Sequence, residues 1–145
     1  MHGYQRNTVD VDVLIRADDS DAVRETLEIE GFVWDKRKKE FRADNGIAIQ
    51  FLLAGDRAGL ASEVMLPDPR DAKVTTTIED LPVLTLAKLI ESKIACGMGN
   101  LRRTHKDYAD VVELIVCNRL NSSFARYLHK SLRTTYRELV LMSRG

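Results

Sequence analysis

The chain has 145 residues, of which 44% are hydrophobic and 30% are charged, and its 22 basic residues balance its 22 acidic residues. A neutral balance gives no electrostatic reason to expect nucleic acid or a membrane surface as a partner. No apolar run has the length of a membrane span, so the composition predicts a soluble, cytoplasmic domain that is large enough to bury a core.

The first predicted element is a buried strand over residues 8–15. Asp10 and Asp12 stand two residues apart in this apolar run, so the side-chain period of a strand places both carboxylates on one face. Aspartate is disfavoured in strands and two like charges on one face repel, so folding alone gives little reason to keep them. A divalent cation would remove this conflict, because Mg²⁺ favours carboxylate oxygens. A solvated acidic face at a sheet edge would explain the same pattern.

The next part of the chain predicts a short helix and further strands. The helix begins with capping residues at 17–20 and ends at Gly31. Predicted strands follow at 32–34, 40–42, 47–53 and 75–78, and the first two are joined by a basic turn at 35–39 that is typical of a solvated hairpin tip.

The C-terminal part predicts three helices, because its apolar residues recur at helical spacing. They cover Leu86 to Ala95 with Thr85 as the cap, about Thr104 to Asn118, and Ser122 to about Met142. The predicted fold class is therefore α+β, with a small mixed sheet and flanking helices in residues 1–80 and a helical portion in residues 81–145 packed on it as one compact unit. Cys96 and Cys117 have no metal-ligand spacing and are expected to be reduced thiols.

The N-terminal motif resembles that of a known superfamily. Gly3 is followed by Arg6-x-Thr8-x-Asp10-x-Asp12 and an apolar run. This pattern resembles the core motif of the nucleotidyltransferases, most of all the small bacterial branch related to the AbiEii-type toxins. The resemblance implies a nucleotidyltransferase-like fold, with Gly3 in a turn that approaches the nucleotide phosphates and with Arg6 and Thr8 beside them. It also implies that Asp10 and Asp12 are catalytic residues that hold Mg²⁺ or Mn²⁺.

A second motif further along the chain strengthens this resemblance. A Leu-x-x-Leu-x-x-x-Lys motif in the first of the three helices ends at Lys93 and precedes Arg103-x-x-Lys106-Asp107-x-x-Asp110. The resemblance implies that Lys93, Arg103, Lys106 and Asp107 bind the nucleotide. From the residues alone, Lys93 needs a partner such as a phosphate or the carboxylate of Asp107. Lys106 and Asp110 can equally form an ordinary helix-surface ion pair.

The sequence departs from the superfamily pattern in two places. Active members take a third carboxylate from a later strand, and the matching position holds Gln50, whose amide cannot accept a proton as a base. Asp56 lies just beyond that strand and is an alternative acid. Relatives also carry a longer Gly-containing turn, whereas only two residues precede Gly3, so either the chain is truncated or half of the phosphate site is missing.

The resemblance implies a metal-dependent transfer of a nucleoside monophosphate from a nucleoside triphosphate to an acceptor hydroxyl. The acceptor could belong to a protein, a tRNA or a small molecule. The branch also suggests a toxin or defence role, with a cognate antitoxin or a homo-oligomer as partner. Gln50 and the short N-terminus favour the alternative of an inactive nucleotide- or partner-binding module. A structural scaffold with solvated acids is the third hypothesis.

Overall fold

The fold class is mixed α+β, as expected. The computed structural model describes residues 10–145, in which six strands and four α-helices form. The strands are β1 (Asp10–Ile15), β2 (Val33–Asp35), β3 (Glu40–Arg42), β4 (Ala48–Leu53), β5 (Thr75–Ile78) and β6 (Leu81–Leu84). The helices are α1 (Ser20–Ile29), α2 (Leu86–Gly97), α3 (Leu101–Cys117) and α4 (Arg133–Ser143). By their contacts the described residues divide into two compact units, 10–56 and 57–145.

The unit of residues 10–56 is built on a four-stranded sheet with the strand order β1-β4-β3-β2. β1 and β4 are parallel, whereas β3 is antiparallel to both of its neighbours, β2 and β4. The predicted hairpin over the basic turn is thus confirmed. Phe41 of β3 is fully buried, with its ring centroid 5.0 Å from that of Trp34 and 5.7 Å from that of Phe51. Phe41 is thus the buried centre of an aromatic cluster in this sheet.

The position of β1 corrects one expectation. Residues 10–15 form a strand as predicted, but the strand is largely exposed and only Ile15 is buried. β1 lies at the edge of the four-stranded sheet, where one neighbouring strand covers it instead of two. β4, which matches the predicted strand at 47–53, alternates in burial, with Gln50 and Leu52 exposed. The apolar run therefore predicted the strand correctly, whereas the prediction that this strand is buried is wrong.

Helix α1 has the predicted bounds within one or two residues. A short 3₁₀ turn at Ala17–Asp19 leads into it, and Gly31 takes a φ of +92° directly after its end. Glycine adopts this left-handed backbone without the steric cost of a Cβ atom, which is why the helix stops there. None of the residues of α1 is buried.

The unit of residues 57–145 begins with loops and contains a separate two-stranded sheet of β5 and β6. β5 matches the predicted strand at 75–78, whereas β6 has no counterpart among the predicted strands. Glu79 and Asp80 both have positive φ, 51° and 64°, which is the backbone that a tight two-residue hairpin requires. Non-glycine residues rarely adopt this conformation, so Glu79 and Asp80 did not predict a turn.

The helix pair α2 and α3 forms the centre of the second unit. α2 begins after Thr85, whose side chain accepts a hydrogen bond of 3.3 Å from the backbone N–H of Lys88, as the predicted cap requires. α3 begins three residues earlier than predicted, because the side chain of Asn100 caps it by accepting the N–H of Arg102 at 3.2 Å. Ile90, Ile94 and Val111 are fully buried between these helices and their neighbours.

The sequence predicted a single long C-terminal helix, and this prediction is wrong. Residues 122–132 instead form two short 3₁₀ segments, Ser122–Tyr127 and Lys130–Leu132, before α4 begins. Side-chain acceptors on Asn121 and His129 bind the backbone N–H groups of Ser123 and Ser131, which competes with α-helical hydrogen bonding. A tertiary contact completes the break, since the carboxylate of Glu91 accepts the N–H of His129 at 2.7 Å.

No helix within the described residues 10–145 is long and apolar enough to cross a membrane.

Candidate functional site

Asp10 and Asp12 lie on the exposed edge strand β1, as neighbouring side chains of one strand face. Both residues are exposed to solvent. Their geometry agrees with the expected pair of carboxylates on one face, and it agrees equally with a solvated acidic face at a sheet edge, the alternative that the sequence left open. The arrangement can bring two carboxylates to one ligand, because residues two apart on a strand project in the same direction.

Gln50 lies directly beside this pair. In the parallel register of β1 and β4, Asp10 pairs with Ala48 and Asp12 pairs with Gln50. Partners on adjacent strands are about 4.8 Å apart and project to the same face, so the amide and the carboxylate of Asp12 are neighbours. The strand that was expected to supply a third carboxylate thus does adjoin the acidic strand. Asp56, the alternative acid, is exposed in the turn after β4, where its N–H donates to the carbonyl of Leu53.

Gly3, Arg6 and Thr8 lie outside the residues that the structure describes, so their predicted place beside the phosphates stays a prediction.

The second predicted set of residues forms an ion-pair cluster on α2 and α3, which we call the Lys93 cluster (Lys93, Arg103, Asp107 and Asp110). The Nζ atom of Lys93 lies 2.9 Å from Oδ2 of Asp110 and 3.7 Å from Oδ1 of Asp107. Nε of Arg103 donates to Oδ2 of Asp107 at 3.2 Å. The structure therefore supplies the carboxylate partner that Lys93 was expected to need, and it joins three of the four predicted residues.

Burial makes the charged groups of the Lys93 cluster energetically costly unless they are paired. Asp107 is completely buried and Asp110 nearly so, whereas the Arg103 side chain is about half exposed. Removing carboxylates from water is costly unless cations and hydrogen bonds compensate for it. Among the described residues, Oδ1 of Asp107 is the buried side-chain atom without a hydrogen bond, although the Lys93 ammonium lies nearby. Two cations and two carboxylates balance, so the cluster is neutral as a whole.

Asp110 is a member of this cluster that sequence reasoning missed. The sequence offered a surface ion pair with Lys106 as one alternative, but Asp110 is buried and contacts Lys93 across the helix pair. Lys106 itself is exposed. The available signal was the spacing, since Asp107 and Asp110 fall on the same helix face as the buried Val111.

Close packing at the corner between α2 and α3 holds the cluster in place. The Thr104 hydroxyl donates to the carbonyl of Gly97 at 2.6 Å and lies 2.8 Å from the carbonyl of Asn100. A Cβ atom on Gly97 would come within 2.7 Å of the Tyr108 ring, so this glycine permits the close approach. Burial, followed by the charges of Glu138 and Asp107, raises the pKa of Tyr108.

Glu91 on α2 is another buried carboxylate that the sequence did not predict. Glu91 accepts Nζ of Lys88 at 3.0 Å and the backbone N–H of His129 at 2.7 Å. Its side chain thus joins α2 to the segment before α4. We assign it a structural role, because both of its oxygens are engaged inside the protein.

Within residues 10–145, no group of three or more His, Cys, Asp or Glu side chains lies close enough together to hold a metal ion. Comparisons with protein-family models, with curated proteins and with solved structures gave no match for this chain.

Proposed function

We propose that this protein is a metal-dependent nucleotidyltransferase that binds a nucleoside triphosphate through the acidic face of β1. The observation that supports this most is the pair Asp10 and Asp12 on one exposed strand face with Gln50 beside it. The resemblance of the surrounding Arg-x-Thr-x-Asp-x-Asp pattern supplies the reaction class. The transfer would move a nucleoside monophosphate to an acceptor hydroxyl and release pyrophosphate.

The donor set suits Mg²⁺ or Mn²⁺. Mg²⁺ is commonly bound through one or two carboxylates, while water and substrate phosphates complete its shell. Asp10 and Asp12 supply the two carboxylates, and the amide oxygen of Gln50 is a neutral oxygen beside them. When bound, the ion supplies positive charge that stabilises the charge on the transferring phosphoryl group.

Gln50 limits what the protein itself can do in this reaction. Its amide can orient an acceptor hydroxyl by a hydrogen bond, but it cannot take the proton of that hydroxyl. This single residue supports the second candidate, an inactive module that binds a nucleotide or a protein partner. The two candidates share metal-dependent nucleotide binding and differ in turnover.

The resemblance also brings Lys93, Arg103, Lys106 and Asp107 into the proposal, because it implies that these residues bind the nucleotide. Lys106 is exposed and Arg103 about half exposed, so these two cations can meet a phosphate. Lys93 is engaged by two carboxylates, and we therefore propose that it acts through the position of Asp107 and Asp110. A toxin or defence role with a cognate antitoxin in the cytoplasm belongs to the same proposal, and so does an acceptor on a protein, a tRNA or a small molecule.

Calorimetric titration tests nucleotide binding. ATP, GTP, CTP and UTP are titrated with and without Mg²⁺ into the wild type, Asp12→Asn and the control Asp21→Asn, which changes an exposed aspartate of α1 in the same unit. We expect Mg²⁺-dependent binding of at least one nucleotide by the wild type and by Asp21→Asn, and its loss in a folded Asp12→Asn. Equal affinity in Asp12→Asn removes the assignment of the metal site. Silence with all four nucleotides favours the scaffold hypothesis.

A further inference from the structure

An apolar surface runs along the outer side of α3 and the edge of α4. The two helices border a groove of about 310 Å³. Its lining residues are Thr104, His105, Tyr108, Ala109, Val112, Glu113, Leu139 and Met142. Met142 in this lining is 67% exposed, and two further apolar residues of α3 on either side of the lined segment, Leu101 and Val116, are 83% and 52% exposed. Exposed apolar surface that is continuous in this way is typical of an interface.

The α3 part of this surface has the spacing of a helix-packing stripe. Leu101, His105, Ala109, Val112 and Val116 follow one another at intervals of four, four, three and four residues. Residues at such intervals lie on one face of a helix. This face is distinct from the one that carries Asp107 and Asp110 and that packs on α2. α3 therefore has two faces suited to packing, and no element among residues 10–145 covers the second one.

Charges along the exposed flank of this stripe are separated by sign. Arg102 and Lys106 lie in the first half of α3 and Glu113 in the second half, and all three are exposed. Arg102 and Glu113 are about 16 Å apart along the helix axis. The order is unfavourable for the isolated helix, because its positive dipole end carries cations and no acid stands in the first turn. A partner with the opposite order of charges would complement this arrangement.

A second copy of this chain provides that order when it runs antiparallel. When a two-fold axis perpendicular to both helices relates the two copies, their charged flanks lie on the same side of the helix pair and run in opposite directions. The cations of one copy therefore lie beside Glu113 of the other. A parallel pair would place like charges at the same level. The small Ala109 near the middle of the stripe lets the two helices approach closely.

We propose that the protein forms a symmetric homodimer through α3 and the edge of α4, with the two α3 helices antiparallel and the two-fold axis close to Ala109. The apolar stripe of each copy packs on the stripe of the other. Arg102 and Lys106 pair across the interface with Glu113, which fixes the orientation.

Analytical ultracentrifugation of the full chain over a wide range of concentration tests the dimer. We expect a dimer for the wild type and a monomer for Ala109→Arg, which places a long cation on the axis. The control Asp21→Arg changes an exposed acidic residue on α1 and leaves the dimer unchanged. A wild type that stays monomeric at every concentration overturns the proposal, and so does an Ala109→Arg variant that dimerises as well as the wild type.

Charge exchange tests the antiparallel orientation. Arg102→Glu/Lys106→Glu and Glu113→Arg should each weaken dimerisation about tenfold, and the triple variant Arg102→Glu/Lys106→Glu/Glu113→Arg should restore it. These changes suit the dipole of α3, so a weaker dimer does not reflect a weaker helix. A triple variant that dimerises no better than Arg102→Glu/Lys106→Glu or Glu113→Arg contradicts the antiparallel pairing. Ala109→Cys, combined with Cys117→Ser, should also form an intermolecular disulfide under mild oxidation, and failure of the folded dimer to cross-link contradicts an axis near Ala109.

Discussion

Asp12 and Gln50 are register partners on parallel neighbouring strands, and both are exposed on the same side of the sheet. Gln50 differs from an aspartate at this position by one methylene group and by a neutral amide in place of the carboxylate. The pairing therefore allows the proposed site to be completed or left incomplete by substitution at one position.

Gln50→Asp should create a stronger metal site. Three carboxylates on one face repel each other without a cation, so the variant should be less stable than the wild type in the absence of metal. Mg²⁺ should raise its Tm by several degrees more than that of the matched control Gln50→Asn, which has the same length and no charge. Thermal unfolding with and without Mg²⁺ measures this difference. Equal Mg²⁺ responses of the two variants would mean that this face does not bind the ion.

The same variant separates the two candidate functions. If only the third carboxylate is missing, Gln50→Asp should transfer labelled nucleotide to an acceptor while Gln50→Asn does not. Gel analysis of a lysate incubated with labelled nucleoside triphosphate and each variant measures this. Stronger Mg²⁺ binding without transfer would support the binding module.

Lys93→Met should destabilise the unit of residues 57–145. It keeps the length of the side chain but leaves the buried Asp107 and Asp110 short of a cation, which costs about 2–4 kcal/mol of unfolding free energy. Urea unfolding measures the change. Lys106→Met is the matched control and should change stability by less than about 0.5 kcal/mol, because Lys106 is exposed. Equal effects of the two substitutions would show that Lys93 does not hold the buried carboxylates.

Tyr136 should make stability fall at high pH. Burial raises the pKa of its phenol to about 12, and the hydroxyl donates to the carbonyl of Asn121 at 2.8 Å. The phenol of the unfolded chain loses its proton near pH 10. Raising the pH from 10 to 12 therefore lowers the free energy of the unfolded state, whereas that of the folded state stays the same. The phenol's contribution is complete below pH 10 and declines by about 2–3 kcal/mol as the pH approaches 12.

Tyr136→Phe isolates that contribution. Near neutral pH, the free energy of unfolding of the variant should be about 1 kcal/mol lower, because the hydrogen bond of the hydroxyl is lost. Its stability should then fall less steeply than that of the wild type above pH 10. Denaturant unfolding of both proteins from pH 8 to the alkaline limit gives the difference, and parallel curves would contradict the assignment to Tyr136.

Gly59→Ala should be far more damaging than Gly55→Ala. Both glycines have positive φ, +105° and +87°, so both substitutions carry backbone strain of about 1–2 kcal/mol. A Cβ on Gly59 would also lie 2.1 Å from the carbonyl oxygen of Ala95, whereas a Cβ on Gly55 would meet nothing within 4 Å. Thermal unfolding should show at least about 2 kcal/mol more loss for Gly59→Ala, since the carbonyl belongs to the backbone. Equal losses would mean that the loop can move away from α2.

Local patterns determined most of the elements. Alternation and β-branched residues gave β1, β3 and β4, and the caps at Thr85 and Gly31 placed the start of α2 and the end of α1. These signals act over a few residues, so the sequence alone carries them. The same reasoning placed Asp10 and Asp12 on one strand face.

Only the tertiary structure decided burial, partners and the interruption before α4. β1 is exposed because it lies at a sheet edge, which its own residues do not specify. Lys93 meets Asp110 seventeen residues away, and Glu91 binds the N–H of His129 thirty-eight residues away, which helps to end the helical pattern there. Contacts between residues far apart in the chain depend on how whole elements pack, and periodicity within one element contains no information about its neighbour.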